Sequence, residues 1–345
     1  MFRFLIRITI QSAGIVREQT PRYSVKGGFR INHNRLSLAY LCAALNAAII
    51  GFSFLFVKIA LEYASPIDTL TYRFAVSFAA MTFPVIFRRI RLNYRGKPLL
   101  TALLLAMMYP LAFFAFQTYG LRFATSSEGG ILFAFAPVLT MLLAAIFLKE
   151  TTTLLQRLSI GLSVIGVIFI FLMKGSGFEL SSMTGIFLLF LSCLSIAGYN
   201  VLARSILRTY RPMEISYLML GIGFIAFLAV SLSGHAAAGT FDRLLAPLAE
   251  VRFMMSILYL GVMSSLVTSL AANYALSKME ASRMSVFSNL STVVSIVAGA
   301  VVMGEPIEAY HIVGSALIIA GVLGTNYFAA RNTKPRPLQS ESADA

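Results

Sequence analysis

Residues 128–148 read EGGILFAFAPVLTMLLAAIFL, and after Glu128 no charge appears until Lys149. A helix rises about 1.5 Å per residue, so roughly 20 apolar residues match the hydrocarbon thickness of a bilayer. This stretch reads as one membrane crossing. Outward from it, comparable stretches recur at 37–61, 70–87, 99–119 and 155–173, then at 184–203, 214–234, 253–275, 283–303 and 309–329. The expected fold is an all-α integral membrane protein of ten transmembrane helices. Lipid offers no partner for backbone N–H and C=O groups, and the period-two alternation of a membrane barrel is absent, so the spans are helices. Composition agrees. Of 345 residues, 58% are hydrophobic and 12% charged, which leaves too little polar surface to solvate a soluble globule.

The net charge of +14 would suit nucleic acid if it were gathered on one solvated face. Its placement argues for membrane orientation instead, because Lys and Arg in short loops mark the cytoplasmic side. The opposite loops hold only Arg122, Lys174, Arg243 and Arg252, and Lys58 and Arg73 lie within spans. The rest of the 28 basic residues fall on the side of the N-terminus, with Arg88, Arg89, Arg91, Arg95 and Lys97 in a single loop. A multi-pass protein of the cytoplasmic membrane with both termini inside is expected. Residues 1–36 read as a basic cytoplasmic tail or a start codon assigned too early, with a membrane-surface arm as the alternative. They do not read as a signal peptide, because Arg3 and Arg7 interrupt the apolar run of residues 2–10. Residues 331–345 read as a disordered cytoplasmic tail. The longest connection, near 234–252, is too short for a soluble domain, and 244–248 is expected in the interface.

Cys42 and Cys193 fall within spans and read as buried thiols. His33, His235 and His311 have no metal-ligand spacing. No glycine-rich phosphate loop, nucleophile elbow or pair of catalytic carboxylates is found. No catalytic residue, metal or cofactor is expected, and the chain does not read as an enzyme. The expected partners are the bilayer and a small-molecule substrate, not nucleic acid, and a homodimer stays open.

The chain also repeats itself. A shift of 155 residues lays Tyr119 on Tyr274, Ala145 on Ala300, Glu150 on Glu305 and Gly166 on Gly321 without a gap. Leu148-Lys149-Glu150 and Met303-Gly304-Glu305 each close a span in the same register. Residues 37–173 and 184–330 form the two repeats. Each holds five spans, an odd number, so the second copy enters the membrane from the opposite side. Inverted halves can expose one shared central site to each side in turn, as in many secondary transporters.

The segment 274–283, Tyr-Ala-Leu-Ser-Lys-Met-Glu-Ala-Ser-Arg, is followed by Asn289-Leu290 and Gly304-Glu305-Pro306. The first half carries Gly51, Lys58, Pro66 and Arg73, then Ala124-Thr125-Ser126, Pro137-Val138 and Glu150. On these residues the chain, over roughly 38–330, resembles the drug/metabolite transporter superfamily, specifically the ten-helix EamA type with two EamA repeats. It departs from that pattern in lacking any Trp and in carrying Thr292 where a proline is common after the Asn-Leu pair. The resemblance implies transport of amino acids, nucleotide-related metabolites, sugars or drugs, without choosing among them.

Polar groups are costly in lipid, so those near span centres are expected to face the bundle interior. The candidates for a substrate cavity are Asn46 and Ser53, Tyr109 and Gln117, Tyr199 and Asn200, Asn273 and Tyr274, and Ser288 and Asn289. Aromatic rings suit an apolar side chain and amides suit a zwitterion, although hydrogen bonding between helices would use the same residues. Among charged family-like positions, Lys58 is expected to snorkel to the outer interface. Arg73 is expected either to snorkel or to pair with a carboxylate or substrate, Glu128 being a candidate partner. Glu150 and Glu305 are expected to organise span ends. The resulting expectation is a secondary transporter exporting a small metabolite such as an amino acid. The alternatives are export of drugs or lipid-linked cargo, and a membrane-embedded enzyme.

Overall fold

The computed structural model describes residues 33–332 except 88, 91, 148–152, 174–179, 279–283, 285, 286, 305 and 306. All regular elements among the described residues are helical. In chain order they begin with α1 (His33–Leu61), α2 (Pro66–Ile86), α3 (Leu99–Ala106), α4 (Phe113–Phe123), α5 (Ser126–Phe133), α6 (Ala136–Phe147) and α7 (Leu154–Met173). There follow α8 (Leu180–Ile206), α9 (Pro212–Ala238), α10 (Phe241–Leu245), α11 (Val251–Leu258), α12 (Thr268–Lys278), α13 (Ser288–Met303) and α14 (Ala309–Asn332). Among the described residues, seven helical runs are long and apolar enough to cross a bilayer, and three shorter apolar stretches lie at 154–166, 290–303 and 309–325. Large side chains such as Phe83, Leu158 and Ile312 stand exposed on the outside, as befits surfaces that meet lipid rather than water. The N-terminal segment 1–32, Glu150, Glu305 and the tail 333–345 lie outside the described residues.

Local chemistry sets the helix ends. Ser65 caps α2 by accepting from the Asp68 amide at 3.2 Å, and Pro66 occupies the first turn, where its missing N–H costs nothing. The helix therefore starts before the apolar run that begins at residue 70. Thr125 and Glu128 close a reciprocal capping box on α5, with bonds of 3.1 and 2.8 Å. At the other end of α9, Gly239 takes φ 62°, the left-handed turn that ends helices, and accounts for the stop at Ala238.

Two crossings are not regular α-helices. Between α3 and α4, residues Met107–Ala112 form a kink at which Tyr109 leaves helical geometry at φ −142°, ψ 118°, next to Pro110. Between α11 and α12, residues Tyr259–Val267 are π-helical. The 155-residue shift carries 107–112 onto 262–267, but the first is a break at Tyr109 and the second a continuous helical stretch. Such π segments widen the turn and often mark functional sites.

Close helix crossings follow one pattern. α7 packs on α14, α2 on α9, and α5 on α13. A Cβ built on Gly166 would stand 2.8 Å from Gly314 O, and one on Gly321 would stand 2.5 Å from Ser159 O. These contacts are reciprocal under the 155-residue shift, and the two helices run antiparallel. Between α2 and α9, Asp68 meets Ser231, Thr71 meets Phe227 O, and Thr82 meets Tyr217, again antiparallel. Around the centre, Phe54, Phe74, Phe113, Phe114 and Phe133 pack edge to face or tilted.

Candidate functional site

Where α1, α2, the α3–α4 run and α8 meet the α11–α12 run, they enclose a cavity of about 50 Å³. Asn46 and Ser53 reach it from α1, Arg73 from α2, Tyr109 from the kink, Gln117 from α4, and Tyr199 and Asn200 from α8. Six of the ten cavity candidates read from sequence, together with Arg73, thus line one space. Spacing explains this: Asn46 and Ser53 lie two turns apart, and so do Tyr109 and Gln117, on one face of each run.

Arg73 is 1% exposed. Its Nε donates to Ser265 Oγ at 2.7 Å, and its Nη2 donates to Ser264 Oγ at 2.8 Å and Ser264 O at 3.3 Å. The guanidinium carbon lies 4.1 Å from the centre of the Phe114 ring, a cation–π contact. The expected bond to Glu128 is not formed, since the Glu128 carboxylate turns back onto the Thr125 amide of its own helix. Lys58 does not reach out to the interface either. Its ammonium donates to Leu121 O at 3.1 Å and Ala124 O at 2.9 Å, neutralising carbonyls at the C-terminal end of α4.

Asn273 sits one layer behind the cavity, fully buried, accepting from Tyr199 Oη and donating to Ser216 Oγ at 2.9 Å. It holds the Tyr199 ring, which packs tilted against Tyr109 at 4.7 Å between centroids. Tyr274 points elsewhere, into a side groove with Cys42, Leu45, Met213 and Leu270. Ser288 and Asn289 lie at the start of α13, where no side chain is described.

Sequence reasoning missed Ser264, Thr268 and Ser269, which line the cavity, and Ser265, which binds Arg73. The signal was present as a stripe of hydroxyls on one face of the eighth span. Ser and Thr in such helices commonly bond their own preceding carbonyls, as Thr268 does to Ser264 O at 2.6 Å, which masks a functional stripe.

Polar clusters stand at both ends of α9. Near its start, the Glu214 carboxylate takes Lys97 as an ion pair, the Asn93 amide at 3.2 Å and the Arg211 amide at 2.9 Å. Tyr94 donates to Glu214 O at 2.9 Å, and burial, with the Glu214 charge beside it, pushes its phenol above the ordinary value so that it stays a donor. Near the far end, Asp68 accepts from Ser65 Oγ at 2.6 Å and Ser231 Oγ at 2.5 Å and meets His235 Nε2 at 3.1 Å. His235 Nδ1 in turn contacts Thr240 Oγ1 at 2.9 Å. The sequence offered no sign of these pairings.

The model of the EamA-like transporter family matches this chain at residues 37–172 and again at 183–327. The uncharacterized transporter YcxC of Bacillus subtilis (strain 168) is 46% identical over 296 residues, covering 86% of this chain and 95% of that protein. An uncharacterized transporter of Archaeoglobus fulgidus is 26% identical over 283 residues, covering 82% of this chain and 96% of its own. A solved crystal structure that is 16% identical superimposes with a TM-score of 0.64 over 86% of this chain and 99% of that one, a likeness of fold.

Proposed function

The chain belongs to the EamA-like transporter family, a multi-pass membrane transporter and not an enzyme, and from that premise we propose a specific mode of action. It is a secondary transporter of the cytoplasmic membrane that exports a small metabolite, an amino acid or a related compound, by alternating access. Its ten spans are the seven long apolar runs and the three shorter ones, arranged as two five-helix halves of opposite orientation with both termini cytoplasmic. The antiparallel, reciprocal contacts of Gly166 and Gly321 support this arrangement, because equivalent helices of a parallel repeat would run the same way.

The observation that carries the reading is the central cavity. It is walled by both halves, with Asn46, Arg73 and Gln117 from the first and Tyr199, Asn200 and Ser264 from the second. About 50 Å³ holds one or two waters, so cargo enters only when the helices part on one side. Lys97–Glu214 and Asp68–His235, at opposite ends of α9, are suited to close the inner and outer mouths.

Counterflow into proteoliposomes tests the reading, with amino acids, nucleosides and hydrophobic cations as competing cargo. Saturable amino-acid exchange is expected. Uptake of the cations alone would overturn the metabolite assignment. One observation favours a second reading, lipid-linked or amphiphilic cargo: a mostly apolar side groove of about 690 Å³, lined by Leu45, Leu270 and Tyr274 with Arg89, Arg211 and Glu214. Exchange of a labelled lipid precursor in the same vesicles would select that reading.

A further inference from the structure

Every oxygen that Arg73 reaches belongs to a neutral group, the Ser264 and Ser265 hydroxyls and the Ser264 carbonyl. Its Nη1 has no protein acceptor at all, although the residue is 1% exposed. Arginine keeps its charge even when buried, and an isolated charge at membrane depth is costly. Among the described residues no carboxylate pairs with it; the described ion pairs lie at the two ends of α9. The same cavity wall presents three further buried polar atoms without hydrogen-bond partners: Asn46 Oδ1, Gln117 Oε1 and Ser269 Oγ. A purely structural arginine would satisfy its own fork with protein, and structural amides would satisfy one another.

Resting on the transport reading above, we infer that Arg73 is the binding site for an anionic group on the cargo. The cargo is a carboxylate-bearing compound. Its carboxylate meets the free Nη1 group of the guanidinium, the one nitrogen whose N–H donors are unclaimed by the protein. A donor such as an ammonium or amide N–H on the cargo meets the carbonyl of Asn46 or Gln117. The apolar body lies among Tyr109, Phe113, Phe114 and Phe133, which line the same space. Hydrophobic cations are disfavoured, because they would bring a second positive charge beside the first.

The test uses full-length protein and matched probes: L-leucine and L-phenylalanine, their amides, the corresponding decarboxylated amines, benzoate, and tetraphenylphosphonium. Thermal unfolding in detergent reads binding, and vesicle exchange reads transport. The carboxylates are expected to raise the wild-type midpoint, and the amides, amines and cation to leave it unchanged. Arg73→Gln, which sheds a buried charge, is expected to unfold no earlier than wild type without probe and to weaken carboxylate binding at least roughly tenfold. Arg73→Lys keeps the charge without the fork and retains part of the effect. Gln117→Glu, which places a carboxylate in the cavity, is expected to block carboxylate probes and gives a second route should Arg73→Gln fail to fold.

The inference is overturned if no carboxylate shifts the wild type, if amines or the cation bind in their place, or if the variants keep wild-type carboxylate affinity. Carboxylate-dependent stabilisation without flux would keep this site and remove the transport reading. Flux confined to the amines would do the reverse, and flux of the cation alone would overturn both.

Discussion

Asp68 on α2 and His235 on α9 meet at 3.1 Å across the end of the bundle opposite Lys97 and Glu214. Asp68 is 4% exposed and takes two serine hydroxyls besides the imidazole, so it pins the start of α2 to the last turns of α9. The same two helices touch the cavity region through Phe74 and Gly223. In the proposed alternating access, opening at this end breaks the Asp68 cluster.

Removing the pair should therefore favour the outward-open form. Asp68→Asn, or His235→Ala, is expected to raise labelling of a Q117C probe by an impermeant thiol reagent from outside, in a background with Cys42 and Cys193 replaced. Losing hydrogen bonds to a charged group shifts such an equilibrium by about 1.5–3 kcal/mol, and the two changes should be less than additive. Glu214→Gln should raise labelling from the cytoplasmic side instead. Equal labelling from both sides in all variants would remove the gating role.

Gly166→Ala and Gly321→Ala each place a methyl group against backbone, 2.8 Å from Gly314 O and 2.5 Å from Ser159 O. The helices must separate, at about 1–3 kcal/mol each by the usual cost of overpacking. Gly161→Ala, with nothing within 4 Å of the new Cβ, should be neutral or mildly stabilising. Thermal unfolding in detergent compares the three, and equal midpoints would show that this crossing does not govern stability.

Asn200 and Asn273 should separate binding from support. Asn200 lines the cavity, whereas Asn273 lies behind it and bridges Tyr199 to Ser216. Asn200→Ala is expected to weaken cargo affinity with little change in midpoint. Asn273→Ala leaves two buried hydroxyls short of a partner and should cost about 1–3 kcal/mol of stability as well as flux. Wild-type flux in both variants would exclude these residues from the site.

Orientation has a direct check. Asn93 and Glu308 are exposed in loops assigned to opposite faces. Cysteines at these two positions are expected to react with an impermeant reagent from opposite sides of the membrane. Reaction from the same side would overturn the inverted arrangement of the halves.

Hydropathy and spacing along the chain determined the membrane class and the helical fold, because crossing lipid is a local demand: each segment must bury its own backbone polar groups within about 20 residues. The 155-residue repeat was legible for the same reason, being written in order along the sequence. Six cavity residues could be named because a polar side chain in an apolar span has few places to go, and it turns inward. What the chain could not reveal by itself was which inward residue meets which. Arg73 finds Ser264 and Ser265 rather than Glu128, Lys58 finds the end of α4 rather than the interface, and Asp68 finds His235. These partners lie tens to nearly two hundred residues apart, and their distances depend on how the helices that carry them cross. Pairing chemistry acts over about 3 Å, and only tertiary packing brings groups that close.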